Sequence, residues 1–528
     1  MFKQITSESL LEISKTLKPK KSSGVDNLSS NQLKFILPQI ADPLSHIFNL
    51  SLQTGYIPIE LKTARVVPIF KAESMHSFNS YRPISLLPSL SKLLEKLVAS
   101  QMIKFLNKHN ILYSLQFGFR KGHNTTQPVV HFLDKIYNAL NKAEPEFTIG
   151  IFLDLKKAFD TADHTILVDK LRHYGFRGVS NLWFKNYLQG RQQIVSIKGV
   201  ESSSMEINVG VPQGSVLGPL LFLILINDLP NAVDFLTLLF ADDTTFQLSG
   251  KSLPELFAIA NLELEKASVW FELNKLTLNA SKTKYIVFRP KKKKETLDDF
   301  YIKIDNNFLE RIGDDLKTKS FKFVGVHIDE NLSWTYHIQK VKAKLSFINQ
   351  QISKVKNILP TDTLLTLYNC LFKPQIEYCI IAWGGVPNRF LKGIINAQKK
   401  CVRNILCKKY LSHTEPLFKK LSILKFEDLF NYNCLLFMHK YVHCNLSTEI
   451  FKMANSVRTK NIVTEKCKLK SLEFLPSYYL PHRWNTCTND LKNETNSKSF
   501  KNLIHSTMEA KYSKSTKNCG NSFCPDCL

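Results

Sequence analysis

Cysteine is absent from this chain of 528 residues before Cys370, and all 11 cysteines lie at or beyond that position. The odd count, the irregular spacing and the lack of a secretory hydrophobic segment near Met1 argue against a framework of disulfide bonds. The last three, Cys519, Cys524 and Cys527, have part of the spacing of a zinc knuckle. No histidine follows them, so we expect no complete zinc site.

Long hydrophobic runs are also absent. The apolar stretch at residues 216–226 is too short to span a bilayer, and it contains Pro219. The mean hydropathy of −0.13 is that of an ordinary soluble protein. We therefore expect an intracellular protein, in the nucleus or the cytoplasm, without a membrane partner.

Acidic residues are scarce relative to basic ones, with 45 Asp and Glu against 71 Lys and Arg and a net charge of +26. Such an excess favours a polyanionic partner, because each contact with a phosphate releases condensed counterions. A generally lysine-rich proteome is the alternative explanation. The acidic cluster described next makes nucleic acid the better one.

Two adjacent acids, Asp242 and Asp243, stand between apolar runs within residues 238–246. This pattern predicts a tight β-hairpin packed into a core, with the acidic pair at its tip. Two like charges there repel each other, so we expect a basic side chain or a divalent metal ion beside them. Asp154, at the end of the apolar residues 148–153, is a candidate third carboxylate. For the pair alone, an ordinary hairpin turn or a surface acid remains the alternative.

The order of three segments adds information. Residues 211–219, with the sequence VPQGSVLGP, lie between the two acidic segments, and Asp154 is followed by LKKAFD. The three segments resemble motifs A, B and C of the reverse transcriptases of non-LTR retrotransposons, in particular the jockey-like group of LINE elements. The resemblance extends over most of the chain, but the specific motifs fall within about residues 54–328.

The resemblance implies an α+β fold, a right-hand polymerase with fingers, an RRM-like antiparallel palm sheet and a helical thumb and C-terminal region. We expect an N-terminal fingers extension at 1–53, fingers and palm at 54–328, a helical thumb and connection at 329–470, and a partly disordered tail at 471–528. The resemblance also implies a helix at about 215–227, and the helical pattern of the sequence predicts two more at about 253–275 and 334–355.

The resemblance also implies site residues. Asp154, Asp242 and Asp243 are the expected catalytic acids and would hold two Mg²⁺ ions, with Mn²⁺ as a substitute and the backbone carbonyl of Leu155 as a further ligand. Lys282 is a candidate general acid for pyrophosphate departure.

Five residues are expected to bind the nucleotide: Lys71, Arg82, Phe159, Gln213 and Gly214. Lys71 and Arg82 would contact the triphosphate, and Phe159 would lie beneath the sugar and reject a 2′-hydroxyl. A solvated charge is the alternative for each basic residue, and a core aromatic is the alternative for Phe159.

Three further residues are expected to contact nucleic acid: Arg120, Lys121 and Gly325. The implied activity is RNA-directed DNA synthesis, with an RNA template, a DNA primer and dNTPs as partners; the sequence leaves the oligomeric state open. A catalytically silent nucleic-acid-binding remnant is one alternative, and an intron maturase or an RNA-templated RNA polymerase is another.

Relatives of this kind carry an endonuclease ahead of the polymerase, and the residues before position 54 are too few for one. No ribonuclease H domain is evident from the sequence either. We expect a C-terminal portion of a longer element, a truncated copy or a shortened gene product.

Overall fold

The computed structural model of the chain describes residues 2–71, 74–290, 293, 295–444, 450–453, 460–464 and 475–513. The three cysteines of the knuckle-like pattern, Cys519, Cys524 and Cys527, lie outside these residues. Within the described ranges, helices and strands are mixed up to Ile328, and the named elements after it are helices.

The helices of the described residues vary in length from single turns to more than 20 residues. They are α1 (Ser7–Lys15), α2 (Ser30–Thr54), α3 (Ser89–Lys108), α4 (Thr126–Asn141), α5 (His164–His173), α6 (Val179–Leu188), α7 (Leu217–Ile226), α8 (Leu253–Leu273), α9 (Thr335–Val355), α10 (Thr361–Leu367), α11 (Lys373–Glu377), α12 (Ile380–Trp383), α13 (Asn388–Ile405), α14 (Glu415–Lys420), α15 (Phe426–His443), α16 (Pro476–Asn485), α17 (Asn489–Asn493) and α18 (Ser497–Ala510). A π-helical turn, Tyr368–Phe372, joins α10 to α11.

The strands are shorter. They are β1 (Thr63–Phe70), β2 (Tyr81–Leu86), β3 (Phe147–Leu153), β4 (Arg191–Ile197), β5 (Val200–Glu201), β6 (Met205–Ile207), β7 (Leu236–Phe240), β8 (Asp243–Gly250), β9 (Lys284–Phe288), β10 (Lys303–Ile304), β11 (Asn307–Phe308), β12 (Glu310–Ile312), β13 (Phe321–Phe323) and β14 (Val326–Ile328).

Local sequence explains where several helices begin and end. A capping box of Ser29 with Gln32 starts α2, and Gly55, with φ of +75°, ends it in the left-handed conformation that glycine tolerates. The Asp163 side chain accepts hydrogen bonds from two backbone amides in the first turn of α5. The helices expected at 215–227, 253–275 and 334–355 are present as α7, α8 and α9, with ends shifted by no more than two residues.

The central sheet has the strand order β12-β9-β3-β8-β7. β3 pairs antiparallel with both β8 and β9, and β7 with β8 forms an antiparallel hairpin. The edge differs from the antiparallel sheet expected from the sequence, because β12 pairs parallel with β9. Every residue of β3 is buried, as expected when both faces of a sheet are covered, and the hydroxyl of its one polar residue, Thr148, hydrogen-bonds with that of Ser249 at 2.8 Å.

This sheet separates two hydrophobic cores. Ile149 and Ile151 of β3 face the core that contains α7 and α8, whereas Phe152 faces the core that contains α4 and the C-terminal helices. Phe132 of α4 lies so close to the strand that a Cβ on Gly150 would approach its ring to 2.7 Å. Burying each large side chain contributes about 2 kcal/mol, so the alternation holds the sheet between its layers.

A second sheet has the order β2-β1-β4-β5, with β6 also paired to β4. β1 and β2 form an antiparallel hairpin, and β1 runs parallel to β4. In the C-terminal region, α9 packs along α13, and the backbone amide of Ser477 at α16 donates to the buried Asp134 of α4 at 2.9 Å. The chain is therefore an α+β protein with mixed sheets and a helical C-terminal region. None of its described helices combines the length and the apolar character needed to cross a membrane.

Candidate active site

The hairpin of β7 and β8 carries the acidic pair. Phe240 pairs with Asp243, so only Ala241 and Asp242 form the turn, and Ala241 adopts φ of +59°. β3 pairs with β8 so that Leu153 stands opposite Thr244. Asp154 is the next residue after Leu153, and it therefore lies at the same end of the sheet as the acidic pair. The expected hairpin is confirmed, and the three acids that the sequence singled out are brought together.

The electrostatics of this end of the sheet are unfavourable for carboxylates. Loss of solvation raises the pKa of Asp243 to about 6, and the negative charges of Asp242 and Asp154 act in the same direction. Loss of solvation also raises the pKa of Asp242, together with repulsion from Asp154, while Arg82 and Lys71 act in the opposite direction. Both side chains keep solvent-accessible surface, so this excess negative charge faces solvent.

The oxygen donors fit a hard divalent cation, because carboxylates with raised pKa values gain most from a nearby positive charge. Among the residues that the structure describes, no three Asp, Glu, His or Cys side chains are already arranged around a point where an ion would fit. Leu155 forms an isolated antiparallel bridge with Leu278, through hydrogen bonds from Lys156 N to Thr277 O at 2.9 Å and from Asn279 N to Asp154 O at 2.8 Å. These two bonds do not use the carbonyl of Leu155.

Asp154 is held by two residues that the sequence reasoning did not single out. Asn279 Nδ2 donates to Asp154 Oδ2 at 2.8 Å, and Asp154 N donates to the hydroxyl of Thr283 at 3.2 Å. Thr283 is fully buried. These two bonds hold Oδ2 and the backbone amide of Asp154 in place. Neither of them involves Oδ1.

The turn that carries Asp242 is held by Gln116, which the sequence reasoning also missed. Gln116 Oε1 accepts hydrogen bonds from Gly118 N at 2.8 Å and from Ala241 N at 3.1 Å, and the residue is only 1% exposed. A Cβ on Gly118 would lie 2.3 Å from Ala241 N, so the close approach of the two segments requires glycine. The sequence signal for Gln116 is its place at the start of residues 116–126, a glycine-containing basic segment that resembles a signature of the same family.

The basic residues expected at the triphosphate lie at the loop end of the β1–β2 hairpin. Ile69 pairs with Arg82, and Lys71 N donates to Ser80 O at 2.8 Å. Both basic side chains are exposed, and both are close enough to lower the pKa of Asp242 electrostatically. The positive hairpin end therefore lies within electrostatic reach of the acidic end of the sheet.

Phe159 is half-buried between two other rings. It stacks on Phe222 with ring centroids 4.7 Å apart and an interplanar angle of 29°, and it meets Phe119 edge-on at 6.2 Å. Phe119 is 57% exposed and has φ of +53°. The ring of Phe159 is therefore fixed in orientation by its neighbours.

Gln213 and Gly214 form a turn that is pinned from two sides. Gln213 Nε2 donates to Asp160 Oδ1 at 2.8 Å, and Ser85 N of β2 donates to Gln213 O at 2.7 Å. Gly214 has φ of +117°, and a Cβ there would lie 2.6 Å from Ser85 O. The side chain of Gln213 thus contacts Asp160 in this structure, and Gly214 is required by the close backbone approach.

The remaining predicted residues are in varied settings. Arg120 is tied to backbone, since its Nη1 donates to Tyr113 O and Gln116 O at 2.9 and 3.0 Å. Lys121 is exposed, and Lys282 is exposed with no described residue paired to its ammonium group. Gly325 has φ of +86° in the turn between β13 and β14.

The turn at Gly325 is anchored by Tyr378, whose hydroxyl donates to Val324 O at 2.7 Å. A Cβ on Gly325 would lie 2.7 Å from the same hydroxyl oxygen, so this packing admits only glycine. The turn is therefore hydrogen-bonded to the helical C-terminal region.

Comparison with known proteins connects these features to a family. The family model described as reverse transcriptase (RNA-dependent DNA polymerase) matches residues 70–328. The RNA-directed DNA polymerase from mobile element jockey of Drosophila funebris is 29% identical over 437 residues, which cover 80% of this chain and 46% of the relative. The probable RNA-directed DNA polymerase from transposon BS of Drosophila melanogaster is 30% identical over 445 residues, covering 81% of this chain and 47% of the relative.

A third relative, the probable RNA-directed DNA polymerase from transposon X-element of Drosophila melanogaster, is 27% identical over 425 residues, covering 78% of this chain and 45% of that protein. The chain thus spans about half the length of the curated relatives it matches. The resemblance drawn from the three motifs is confirmed. Residues 70–328 form a reverse transcriptase domain, and the chain is related to the polymerases of the jockey, BS and X-element mobile elements.

Proposed function

We propose that the chain is an RNA-directed DNA polymerase of a non-LTR retrotransposon, which extends a DNA primer along an RNA template with dNTPs. The observation that carries the proposal is the meeting of Asp154, Asp242 and Asp243 at one end of the central sheet, within electrostatic reach of Lys71 and Arg82. Carboxylates suit divalent metal ions and basic side chains suit a triphosphate, so the two groups match the two charged parts of a metal–nucleotide complex.

In the proposed reaction, the primer 3′-hydroxyl attacks the α-phosphate of the dNTP, the bond to the bridging oxygen breaks, and pyrophosphate leaves. Asp154, Asp242 and Asp243, with the carbonyl of Leu155, would hold two Mg²⁺ ions, and Mn²⁺ would suit the same oxygen ligands. Bound ions would lower the pKa of the attacking hydroxyl and neutralise the charge that develops on the phosphate. Lys282 would donate the proton that pyrophosphate takes up as it leaves.

The protein groups around the acids limit reorganisation during this reaction. Asn279 restrains one oxygen of the Asp154 carboxylate, and Gln116 restrains the turn that carries Asp242. Groups that are held before the substrate binds do not have to be ordered during the reaction, which lowers the barrier.

The nucleotide site is assigned to the space between the two sheets. Lys71 and Arg82 would bind the triphosphate, since Arg offers paired donors to phosphate oxygens. The fixed ring of Phe159 would lie beneath the sugar and collide with a ribose 2′-hydroxyl. Gln213 and Gly214 would shape the wall next to the sugar and the primer end, with the turn anchored on Asp160 and on β2.

Template and primer are assigned to the basic surface around this site. Lys121 is exposed for contact with the nucleic-acid backbone, Arg120 supports the segment from Tyr113 to Gln116, and the turn at Gly325 would lie near the primer. The net charge of +26 supports a long polyanionic partner.

In this assignment the chain is a right-hand polymerase, with fingers built on β1 and β2, a palm on the central sheet and a thumb on the helices from α9 onward. The proposed boundaries are 1–53 for the fingers extension, 54–328 for fingers and palm, 329–470 for thumb and connection, and 471–528 for the tail. The core shared by α1, α2, α3 and the central sheet supports a fingers extension that packs as part of the same unit.

Primer extension tests the function. Purified chain is incubated with a DNA primer on an RNA template, Mg²⁺ and dNTPs, and parallel reactions replace the RNA template by DNA, the dNTPs by NTPs, or Mg²⁺ by a chelator. We expect full-length product on the RNA template with dNTPs, and none with the chelator. A folded, RNA-binding chain that makes no product would instead support a silent nucleic-acid-binding remnant, and efficient use of NTPs would support an RNA polymerase.

A further inference from the structure

Glu95 is a carboxylate enclosed in the core. It lies on α3 with 1% of its surface exposed, and it accepts three hydrogen bonds from described residues. Oε1 accepts from the Tyr187 hydroxyl at 2.8 Å, and Oε2 accepts from Val216 N at 2.6 Å and Leu217 N at 3.4 Å. Three donors around one side chain match an ionised carboxylate, which can only accept.

The charge opposite Glu95 is Arg191, at the start of β4. Arg191 is also 1% exposed, and its Nη1 donates to Tyr187 O at 3.1 Å while its guanidinium lies 4.8 Å from the centre of the Tyr187 ring. Within the described residues its Nε and Nη2 have no hydrogen-bond acceptor. Burial raises the pKa of Glu95, and the charge of Arg191 and the three donors oppose that shift.

Such a buried charged group is costly for the fold, because apolar side chains of the same volume would pack at least as well. Its position shows what it contributes. The two amides it holds, those of Val216 and Leu217, begin α7, directly after the turn that contains Gln213 and Gly214. Two amides at a helix N-terminus have no partner within the helix, so a carboxylate from α3 fixes where the helix starts.

Glu95 and Arg191 also connect the start of α7 to the sheet that carries the proposed triphosphate ligands. Arg191 pairs with Ile207 of β6, and β4 runs beside β1, which leads to Lys71. The motif B turn is therefore held at its end by Glu95 and at its side by Ser85 of β2.

We propose that Glu95 is a positioning residue for the nucleotide site: through Val216 and Leu217 it fixes the turn at Gln213 and Gly214 relative to the sheet of Lys71 and Arg82. This inference rests on the proposed function, because it assigns the turn to the nucleotide. Glu95 touches no substrate. It acts by keeping α7 and the turn before it in register with the fingers.

The test compares three variants for KM of dNTP, kcat, unfolding temperature and amide hydrogen exchange of residues 212–217. Glu95→Gln keeps one acceptor and Glu95→Leu keeps none. Tyr187→Phe is the control: it removes the hydroxyl that contacts Glu95 and Ser215, and it keeps both bonds from Glu95 to the amides at the start of α7. We expect Glu95→Leu to raise KM about tenfold with a smaller change in kcat, Glu95→Gln to have an intermediate effect, and Tyr187→Phe to keep the wild-type KM. Exchange of residues 212–217 is expected to accelerate in the same order.

Two results would overturn the inference. The first is a Glu95→Leu protein whose KM and amide exchange equal those of the wild type. The second is an equal rise in KM for Tyr187→Phe and for the Glu95 variants, because an equal rise would indicate a general loss of stability. If Glu95→Leu does not fold, Glu95→Gln against Tyr187→Phe gives the same comparison. Failure of the proposed function has a different signature, since the wild type would then make no product while the exchange measurement would still report whether Glu95 holds the turn.

Discussion

Replacing Asp242 by asparagine is expected to lower the rate of primer extension by about 1,000-fold or more, because a neutral amide cannot provide the charge that a divalent ion needs. The fold should not suffer. Asp242 lies at the tip of a two-residue turn beside Asp154, whose charge helps to raise its pKa, so removing its charge relieves repulsion. The measurement is single-turnover extension on an RNA template, with the unfolding temperature recorded for the same preparation. We expect that temperature to equal or exceed the wild-type value.

The control for this substitution is Asp234→Asn. It makes the same chemical change at an acid whose side chain is 89% exposed and which lies 3.9 Å from Lys266, away from the sheet end. Its rate should stay within about twofold of wild type, as for most surface substitutions. Retention of most of the extension rate in Asp242→Asn would contradict the assignment of this acid.

Replacing Phe159 by valine is expected to reduce the preference for dNTPs over NTPs by about 100-fold, because a small side chain leaves room for a 2′-hydroxyl. The effect should be large because the wild-type ring cannot turn aside: Phe222 lies against its face at 4.7 Å and Phe119 against its edge at 6.2 Å. The lost packing should lower stability by about 1–2 kcal/mol, since the ring is half-buried. The measurement is kcat/KM for one dNTP and the matching NTP.

The matched control is Phe119→Leu, which removes the exposed ring but leaves Phe159 stacked on Phe222. Sugar preference in this variant should stay within about threefold of wild type, because the stacking partner still fixes the ring. An unchanged preference in a folded Phe159→Val protein would show that Phe159 is a core aromatic and not the group that selects the sugar.

The sequence was sufficient to predict the residues whose chemistry is distinctive. Asp154, Asp242 and Asp243 each interrupt or end an apolar run, and the hairpin at Asp242 follows from that pattern alone. Long amphipathic helices such as α8 and α9 were also predictable, since their apolar spacing extends over several turns.

The residues that hold the site were not predictable in the same way. The contacts of Asn279 with Asp154 and of Gln116 with Ala241 each join residues 125 positions apart, and short polar side chains give no local sign of such partners. Glu95 lies within an amphipathic helix, and its neighbours in sequence are typical of a residue on the solvent-exposed face. The parallel pairing of β12 with β9 depends on how the chain returns to the sheet edge, which local patterns do not specify.

Arg120 illustrates a further limit. Its position in a basic, glycine-containing segment is typical of a residue that faces nucleic acid, yet its guanidinium donates to two backbone carbonyls of the segment that ends at Gln116. Composition predicts that such a segment contains a basic residue that contacts nucleic acid. Only the packing determines which basic side chain remains exposed for that contact.

The pH dependence of stability follows from the crowded acids. The pKa of Asp243 is about 6 in the folded chain, above the value of about 3.9 for a solvated Asp, so the folded state holds more protons than the unfolded state between those two values. The contribution of Asp243 to stability is therefore lost as pH rises from about 4 through about 6. In metal-free buffer, Asp243→Asn should weaken this decline, and the gap in unfolding temperature between variant and wild type should widen toward pH 7.

The central claim is that Asp154, Asp242 and Asp243 act together on a divalent ion. The most direct test is the unfolding temperature at pH 7.5 as Mg²⁺ is added, for wild type and for Asp242→Asn, since a ligand that binds only the folded state raises that temperature. We predict a saturable rise in the wild type that is absent in the variant and present in Asp234→Asn. No rise in the wild type, or the same rise in Asp242→Asn, would contradict the claim.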